Sequence, residues 1–146
     1  MSGINYKGVD VNLLSLAEIK SISIELLREY NKDNQNKELF ETTEFYMKKW
    51  IENDADNFDS YGYLLLLYSM ANNYKVKYDT IMSMIHKNLF VYDAKKSLID
   101  YAFVSDGVMT IDAYIANLED CIKMTENKSE IEQLMEHLQM AILVAG

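Results

Sequence analysis

The stretch WIENDADNFDSYGYLLLLYSMANNYKVKYDTI, residues 50–81, contains the features that decide the fold. Its acidic run, DADNFD at 54–59, is either a metal-binding loop or a turn between two helices. A calcium loop of the EF-hand type needs oxygen ligands at its first, third and fifth positions and a bidentate Glu at its twelfth. Counted from the first Asp, those last two positions are Phe58 and Leu65, which cannot hold an ion. The run is therefore predicted to be a turn, with Asn57 as the cap of the next helix.

The composition of the whole chain is typical of a helical protein. Its 146 residues fit one domain, 49% of them are apolar and 25% are charged, and proline is absent. Because helix breakers are so scarce, apolar residues at helical spacing predict an all-α fold of about seven antiparallel helices with short connections. An N-terminal arm is predicted over 1–14 and a single all-helical domain over 15–146. The predicted helices cover about 15–30, 38–53, 58–71, 75–90, 94–103, 108–123 and 129–145.

Three further helix starts have recognisable caps. Ser15 with Glu18, and Ser129 with Glu132, have the spacing of a capping box, in which each side chain accepts a backbone N–H of the other residue. Asp93 is predicted to cap the fifth helix.

The net charge restricts the class of partner. Lys and Arg number 14 and Asp and Glu number 23, so the formal charge is −9, which disfavours direct binding to nucleic acid. Residues 93–146 carry 10 acids and only 4 bases. This excess either attracts a basic partner or only keeps the protein soluble.

No arrangement of residues marks a catalytic, metal or cofactor site. Cys121 is the only cysteine and is predicted to be a buried core residue; neither His86 nor His137 follows a Glu three residues earlier, as a di-iron bundle needs. Gly-rich phosphate loops and nucleophile motifs are absent from the sequence. The N-terminus lacks a signal peptide, and no apolar run approaches the roughly 18 residues of a membrane span. A cytoplasmic protein without an enzyme activity, a cofactor or a membrane partner is therefore predicted.

The spacing of large residues after the acidic run resembles that of a tetratricopeptide repeat, a helix pair of 34 residues. Phe40 and Tyr74 lie 34 residues apart, and so do Met47 and Ile81. The resemblance covers about 38–90 and is weaker over 93–123. Large residues replace the family's small residues at several helix-packing positions, so the alternative to a repeat array is an irregular helical bundle. The large-residue positions of the family are matched by Tyr61, Leu64, Tyr68, Tyr74 and Ile81.

The resemblance implies a concave groove lined by the first helix of each pair. The matching positions are Asp59, Gly62, Leu66, Ser69 and Met70, then Asp93, Lys96, Asp100, Phe103 and Val104. Family members that clamp a peptide's terminal carboxylate use Lys and Asn at such positions, which Gly62 and Leu66 do not supply. A basic or amphipathic partner segment is therefore expected.

Four residues outside those positions are also predicted to contact the partner. Tyr63 is a candidate for an exposed contact, and Asp112, Glu119 and Asp120 are expected to speed the encounter with a basic partner.

These features favour a non-enzymatic module that binds and masks another protein. Small acidic proteins of this kind resemble toxin-immunity proteins and phage-encoded inhibitors, which cover a basic surface. The ratio of 13 Lys to one Arg fits an AT-rich bacterial or phage genome. The rival hypotheses are an enzymatic or small-molecule-binding helical bundle and a structural homo-oligomer.

The last predicted helix ends in the apolar run MAILVA, residues 140–145. A single helical stripe cannot turn all of these side chains inward. We expect them to dock into a hollow of the same chain, since an exposed patch promotes aggregation. The alternative is a homodimer joined through this helix.

Overall fold

The computed structural model describes residues 5–6 and 9–146, and the described part is all-α apart from a short hairpin, which confirms the predicted fold class. Two short antiparallel strands, β1 (Asn5–Tyr6) and β2 (Val9–Asp10), are followed by a 3-10 turn, Val11–Leu13. The rest of the predicted arm, residues 1–4 and 7–8, lies outside the described residues. The helices are α1 (Leu16–Lys32), α2 (Lys37–Asn53), α3 (Phe58–Met70), α4 (Tyr74–His86), α5 (Val91–Ser97), α6 (Ala102–Ser105), α7 (Ile111–Met124) and α8 (Lys128–Ala145).

Eight helices are present in the described part, where about seven were predicted. The helix predicted over 75–90 ends earlier, because Asn88 and Phe90 adopt positive φ angles of 57° and 46°. The helix predicted over 94–103 is divided into α5 and α6. Between the two helices, the Oδ1 of Asp100 accepts a hydrogen bond of 3.0 Å from the N–H of Ala102, the first residue of α6, and this local contact competes with a continuous helix.

Two of the predicted caps are confirmed. The Oγ of Ser15 accepts the N–H of Glu18 at 3.2 Å, and Oε1 of Glu18 accepts the N–H of Ser15 at 3.0 Å, which completes a capping box at the start of α1. The side chain of Asn57 accepts the N–H of Asp59 at 3.0 Å and caps α3. Both starts agree with the prediction because capping depends only on residues adjacent in sequence.

Two other predicted caps are wrong. Asn127 rather than Ser129 caps α8, because the Asn accepts the N–H of Glu130 at 3.1 Å and starts the helix earlier. Asp93 lies inside the first turn of α5, whose cap position is Phe90 and has no side-chain hydrogen bond.

Contacts divide the chain into two compact units, 1–73 and 74–146. In the first unit, α1 packs along α2, and α2 packs against α3. α1 turns Ile19, Leu26 and Tyr30 inward at helical spacing. They meet a buried row from α2 that includes Tyr46, Met47 and Trp50.

In the second unit, α7 and α8 form an antiparallel pair, α5 packs against α4 and α7, and α6 packs against α4. Its core contains Ile81, Phe103, Leu118 and Cys121, none of which has measurable exposure. Burial raises the pKa of the Cys121 thiol to about 11, so this cysteine is a core residue, as predicted. A dense cluster of contacts is not by itself an independently folding unit, and the single helical domain over 15–146 stays a prediction.

Candidate partner-binding surfaces

The acidic run at 54–59 forms the turn between α2 and α3, as predicted. The Asp54 carboxylate accepts hydrogen bonds from Trp50 Nε1 at 3.2 Å and Asn57 Nδ2 at 3.3 Å, and it lies 3.5 Å from the Nζ of Lys20. The Trp50 hydrogen bond is the main reason why the pKa of Asp54 is below its usual value. The carboxylate thus holds three helices of the first unit together. Within the described part of the chain, His, Cys, Asp and Glu form no group of three that is placed to hold a metal ion.

The first set of predicted contact residues lies on α3 and faces away from its buried side. Asp59 is exposed, Leu66 is 47% exposed, and the other four are half-buried. The Tyr63 ring packs on Trp50 with a centroid distance of 5.0 Å, so part of its surface serves the fold. The structure therefore brings these six residues together on one helix face: Asp59, Gly62, Tyr63, Leu66, Ser69 and Met70.

The second predicted set does not form one helix face, because the break at Asp100 distributes it over two short helices. Asp93 and Lys96 lie on α5, and Phe103 and Val104 lie on α6. The prediction of a single surface assumed one continuous helix over 94–103, and the structure divides this segment.

Phe103 is fully buried, and the prediction that it contacts a partner is corrected to a role in the core. Its ring makes edge-to-face contacts with Tyr74 at 5.7 Å and Tyr78 at 6.1 Å, and the Nζ of Lys77 lies 5.4 Å from its centroid. Burial lowers the pKa of Lys77, while its ion pair with Asp100 at 3.8 Å partly opposes that shift.

Lys96 and Glu130 form an ion pair that joins α5 to the first turn of α8. Glu130 also accepts hydrogen bonds from Thr125 Oγ1 at 2.9 Å and Tyr92 OH at 3.2 Å. The hydrogen bond between the two charged groups is the main cause of both pKa shifts, upward for Lys96 and downward for Glu130. Lys96 is therefore engaged within the fold rather than presented alone to a partner.

The third predicted set, on α7, is exposed. Asp120 forms an ion pair with Lys95 at 3.4 Å. No ion pair joins Asp112 or Glu119 to any described residue, and the two carboxylates lie two helical turns apart on the same outward face. Exposed Glu132 on α8 has no ion pair within the described ranges either. The α7–α8 pair thus presents several carboxylates whose charge is not neutralised locally.

The sequence did not predict a groove that the structure shows in the second unit. Its volume is about 490 Å³, and the Tyr101 and Tyr114 rings form an edge-to-face pair at 6.0 Å on one side of it. α8 supplies the opposite side, with only Glu136 and His137 as charged or titratable groups. The lining residues are Tyr101, Tyr114, Glu136, His137, Met140, Ala141 and Val144.

The apolar run at the end of α8 does not dock into the same chain, and that prediction is wrong. Met140, Ile142, Leu143 and Val144 are 65%, 52%, 76% and 60% exposed. Ala141 is buried because it lies on the inward stripe with Leu134, two turns earlier. Since α8 stays helical over this run, its periodicity directs the other side chains to the surface.

No helix among the residues that the structure describes combines the length and the apolar character needed to cross a membrane. No protein-family model, curated protein or solved structure matches this chain.

Proposed function

We propose that this chain is a non-enzymatic, cytoplasmic protein-binding module, a small acidic inhibitor of the immunity type that binds and masks a basic protein. The observation that supports this proposal is the outward face of α7, where Asp112 and Glu119 are exposed and no described residue forms an ion pair with either. A carboxylate that forms no ion pair within the fold is available to attract a basic side chain of another protein.

The net charge of −9 adds to the local effect of these carboxylates. An acidic protein attracts a basic one over a distance of about 10 Å at 0.1 M salt and so raises the rate of association. An inhibitor that must capture a harmful protein quickly benefits from such a rate.

The outward face of α3, in the first unit, is a second candidate contact surface. Leu66 is 47% exposed there and shares the face with the exposed carboxylate of Asp59. Apolar and acidic groups together favour an amphipathic basic segment, which agrees with the partner implied by the tetratricopeptide-like spacing.

The test compares two triple variants with the same change in charge. One neutralises the α7–α8 carboxylates (Asp112→Asn, Glu119→Gln, Glu132→Gln), and the control neutralises exposed carboxylates of the first unit (Glu29→Gln, Glu41→Gln, Asp56→Asn). The two variants and the unaltered chain each serve as bait to capture a partner protein. Surface plasmon resonance then measures the rate at which the captured protein associates with each of the three, at low and at high salt.

We expect the captured partner to be basic. At low salt its association with the α7–α8 variant should be about tenfold slower than with the control variant, and this difference should disappear at high salt. Equal rates for the two variants at low salt would show that the charge of α7 only keeps the protein soluble. An acidic captured partner would also contradict the proposal.

A further inference from the structure

The end of α8 is apolar on every side. Residues 138–146 contain no Asp, Glu, Lys or Arg, and five consecutive apolar residues, 141–145, follow Met140. Leu143, at 76% exposed, is among the most exposed large apolar residues of the described chain. Monomeric proteins rarely expose a contiguous apolar patch larger than a few hundred Å², and such a patch marks an interaction surface.

The groove of about 490 Å³ lies directly beside this patch. Met140 and Val144 belong to both, because each is more than half exposed and also lines the groove with Tyr101 and Tyr114. One helix end thus carries protruding aliphatic side chains and, next to them, an apolar depression. A two-fold symmetric interface needs this combination, since the same surface must act as both halves of the contact.

We propose that the end of α8 is a homodimer interface, in which the exposed aliphatic side chains of each copy fill the groove of the other. The apolar centre of the interface is formed by Met140, Ile142, Leu143 and Val144. Gln139, Glu136 and His137 surround it as a polar rim. This proposal uses residues other than the carboxylates of α7, so it does not depend on the proposed inhibitor function.

The patch gives a basic protein no electrostatic advantage as its occupant, because 138–146 contain no charged side chain. Two chains that each carry −9 repel one another overall, and this stretch is a surface through which they can approach with the least repulsion. A basic partner, by contrast, is drawn to exposed carboxylates, and among the described residues that line the groove Glu136 alone carries one. A stable dimer buries about 800 Å² on each copy, and in the proposed dimer this area comprises the patch, the groove walls and the polar rim.

The mass of the full chain in solution, measured by light scattering and sedimentation from about 1 to 100 μM, tests this proposal. We expect twice the 17.0 kDa of one chain, with dissociation on dilution. Leu143→Glu places a charge at the centre of the interface and is expected to raise the dimer Kd tenfold or more. Ser129→Glu, with the same charge at the exposed start of α8, serves as the control and is expected to remain dimeric.

A thiol cross-link gives a second readout that does not rely on a destabilising substitution. Cys121 is fully buried, so the exposed thiol of Ala145→Cys is the one available to a short bifunctional maleimide. We expect covalent dimers from Ala145→Cys and none from Ser129→Cys. Added salt screens the repulsion between copies and should increase the dimer fraction, whereas it weakens the capture of a basic protein.

A chain that stays monomeric up to 100 μM overturns the proposal. A Leu143→Glu variant with native circular dichroism and the dimer Kd of the unaltered chain overturns it as well. Should that variant not fold, the cross-linking yields of Ala145→Cys and Ser129→Cys decide, since equal yields contradict a specific interface.

Discussion

The carboxylate of Asp54 shows how much of this fold depends on single polar side chains. It connects Lys20 of α1, Trp50 of α2 and the α3 cap residue Asn57. The Ser60 hydroxyl lies within hydrogen-bond distance of two main-chain carbonyls of this turn, 2.7 Å from that of Asn57 and 3.3 Å from that of Asp54. An acidic run that is compatible with a metal loop by composition is therefore an ordinary structural turn in which one acid has several protein partners.

Asp54→Asn should make the stability of the protein less dependent on acid pH. Contacts in the folded state lower the pKa of Asp54 from 3.8, so its contribution is present above that value and is lost as the pH falls through the lower folded value. The melting temperature of the unaltered chain should thus fall more between pH 6 and pH 3 than that of the variant. Asp56→Asn, an exposed neighbour, is the control and should keep the original pH dependence. Parallel melting curves for the chain and Asp54→Asn would contradict this role.

Residue-level predictions succeeded where the cause is local in sequence. Ser15 and Glu18 complete a capping box from four adjacent residues, and the structure shows it. The start of α8 was misplaced because Asn127 and Ser129 are both good cap residues, and the residue types alone do not decide between them. The contacts of Asp54 were not predictable, since they require α1 and α3 to be in place.

Among the helices, α3 contains a glycine where its freedom is not needed. A Cβ at Gly62 would meet the Phe58 ring at 3.8 Å, an ordinary contact, so Gly62→Ala should stabilise the protein by about 0.8–1 kcal/mol through helix propensity. Gly107, after α6, has a φ of 73° and open space around it, so Gly107→Ala should cost about 1 kcal/mol through backbone strain alone. Urea unfolding of both variants measures the two effects, and changes of the same sign would contradict the assignment.

The short helix α5 depends on polar contacts from its neighbours. It has seven residues and no side-chain cap, a length that is not stable alone in water. Glu130 holds it through Lys96 and Tyr92, and the Asn117 side chain donates to the Lys95 carbonyl at 2.8 Å. Each of these contacts joins α5 to α7 or α8.

Glu130→Gln should therefore increase the rate of amide hydrogen exchange in α5 relative to α7, because the variant loses the charge that pairs with Lys96. Glu132→Gln, which changes an exposed carboxylate two residues away, is the matched control and should leave the exchange of α5 unchanged. Equal protection of α5 in both variants, measured by mass spectrometry, would show that apolar packing alone holds this helix.

Apolar periodicity in the sequence predicted where most helices lie, but it did not predict the break between α5 and α6. The run over 94–103 contains no Gly or Pro, which predicted a single helix over these residues. The structure instead ends α5 at Ser97 and starts α6 at Ala102, and it places Phe103 in the core. The predicted contact residues on α3 share one face because that helix is continuous. Those on α5 and α6 do not, because the chain is not helical between the two.

At the scale of the second unit, exposed carboxylates and exposed apolar side chains are concentrated on different helices. The exposed carboxylates of α7 suit a basic partner, and the uncharged end of α8 suits a second copy of the chain. The sequence predicted the acidic region from charge counts alone. It did not predict the groove, since Tyr101 and Tyr114 meet α8 only after the chain has folded.

The single tryptophan allows the predicted single domain over 15–146 to be tested. Trp50 lies in the first compact unit, so its fluorescence reports the unfolding of that unit, while circular dichroism at 222 nm reports all helices. Leu118→Ala removes a fully buried side chain from the second unit and should destabilise it by about 2–5 kcal/mol. Chains below about 150 residues usually unfold in one cooperative step. We therefore expect both signals to shift to lower temperature by the same amount. If the Trp50 transition stays in place while the ellipticity transition moves, the units unfold separately and the single-domain prediction is wrong.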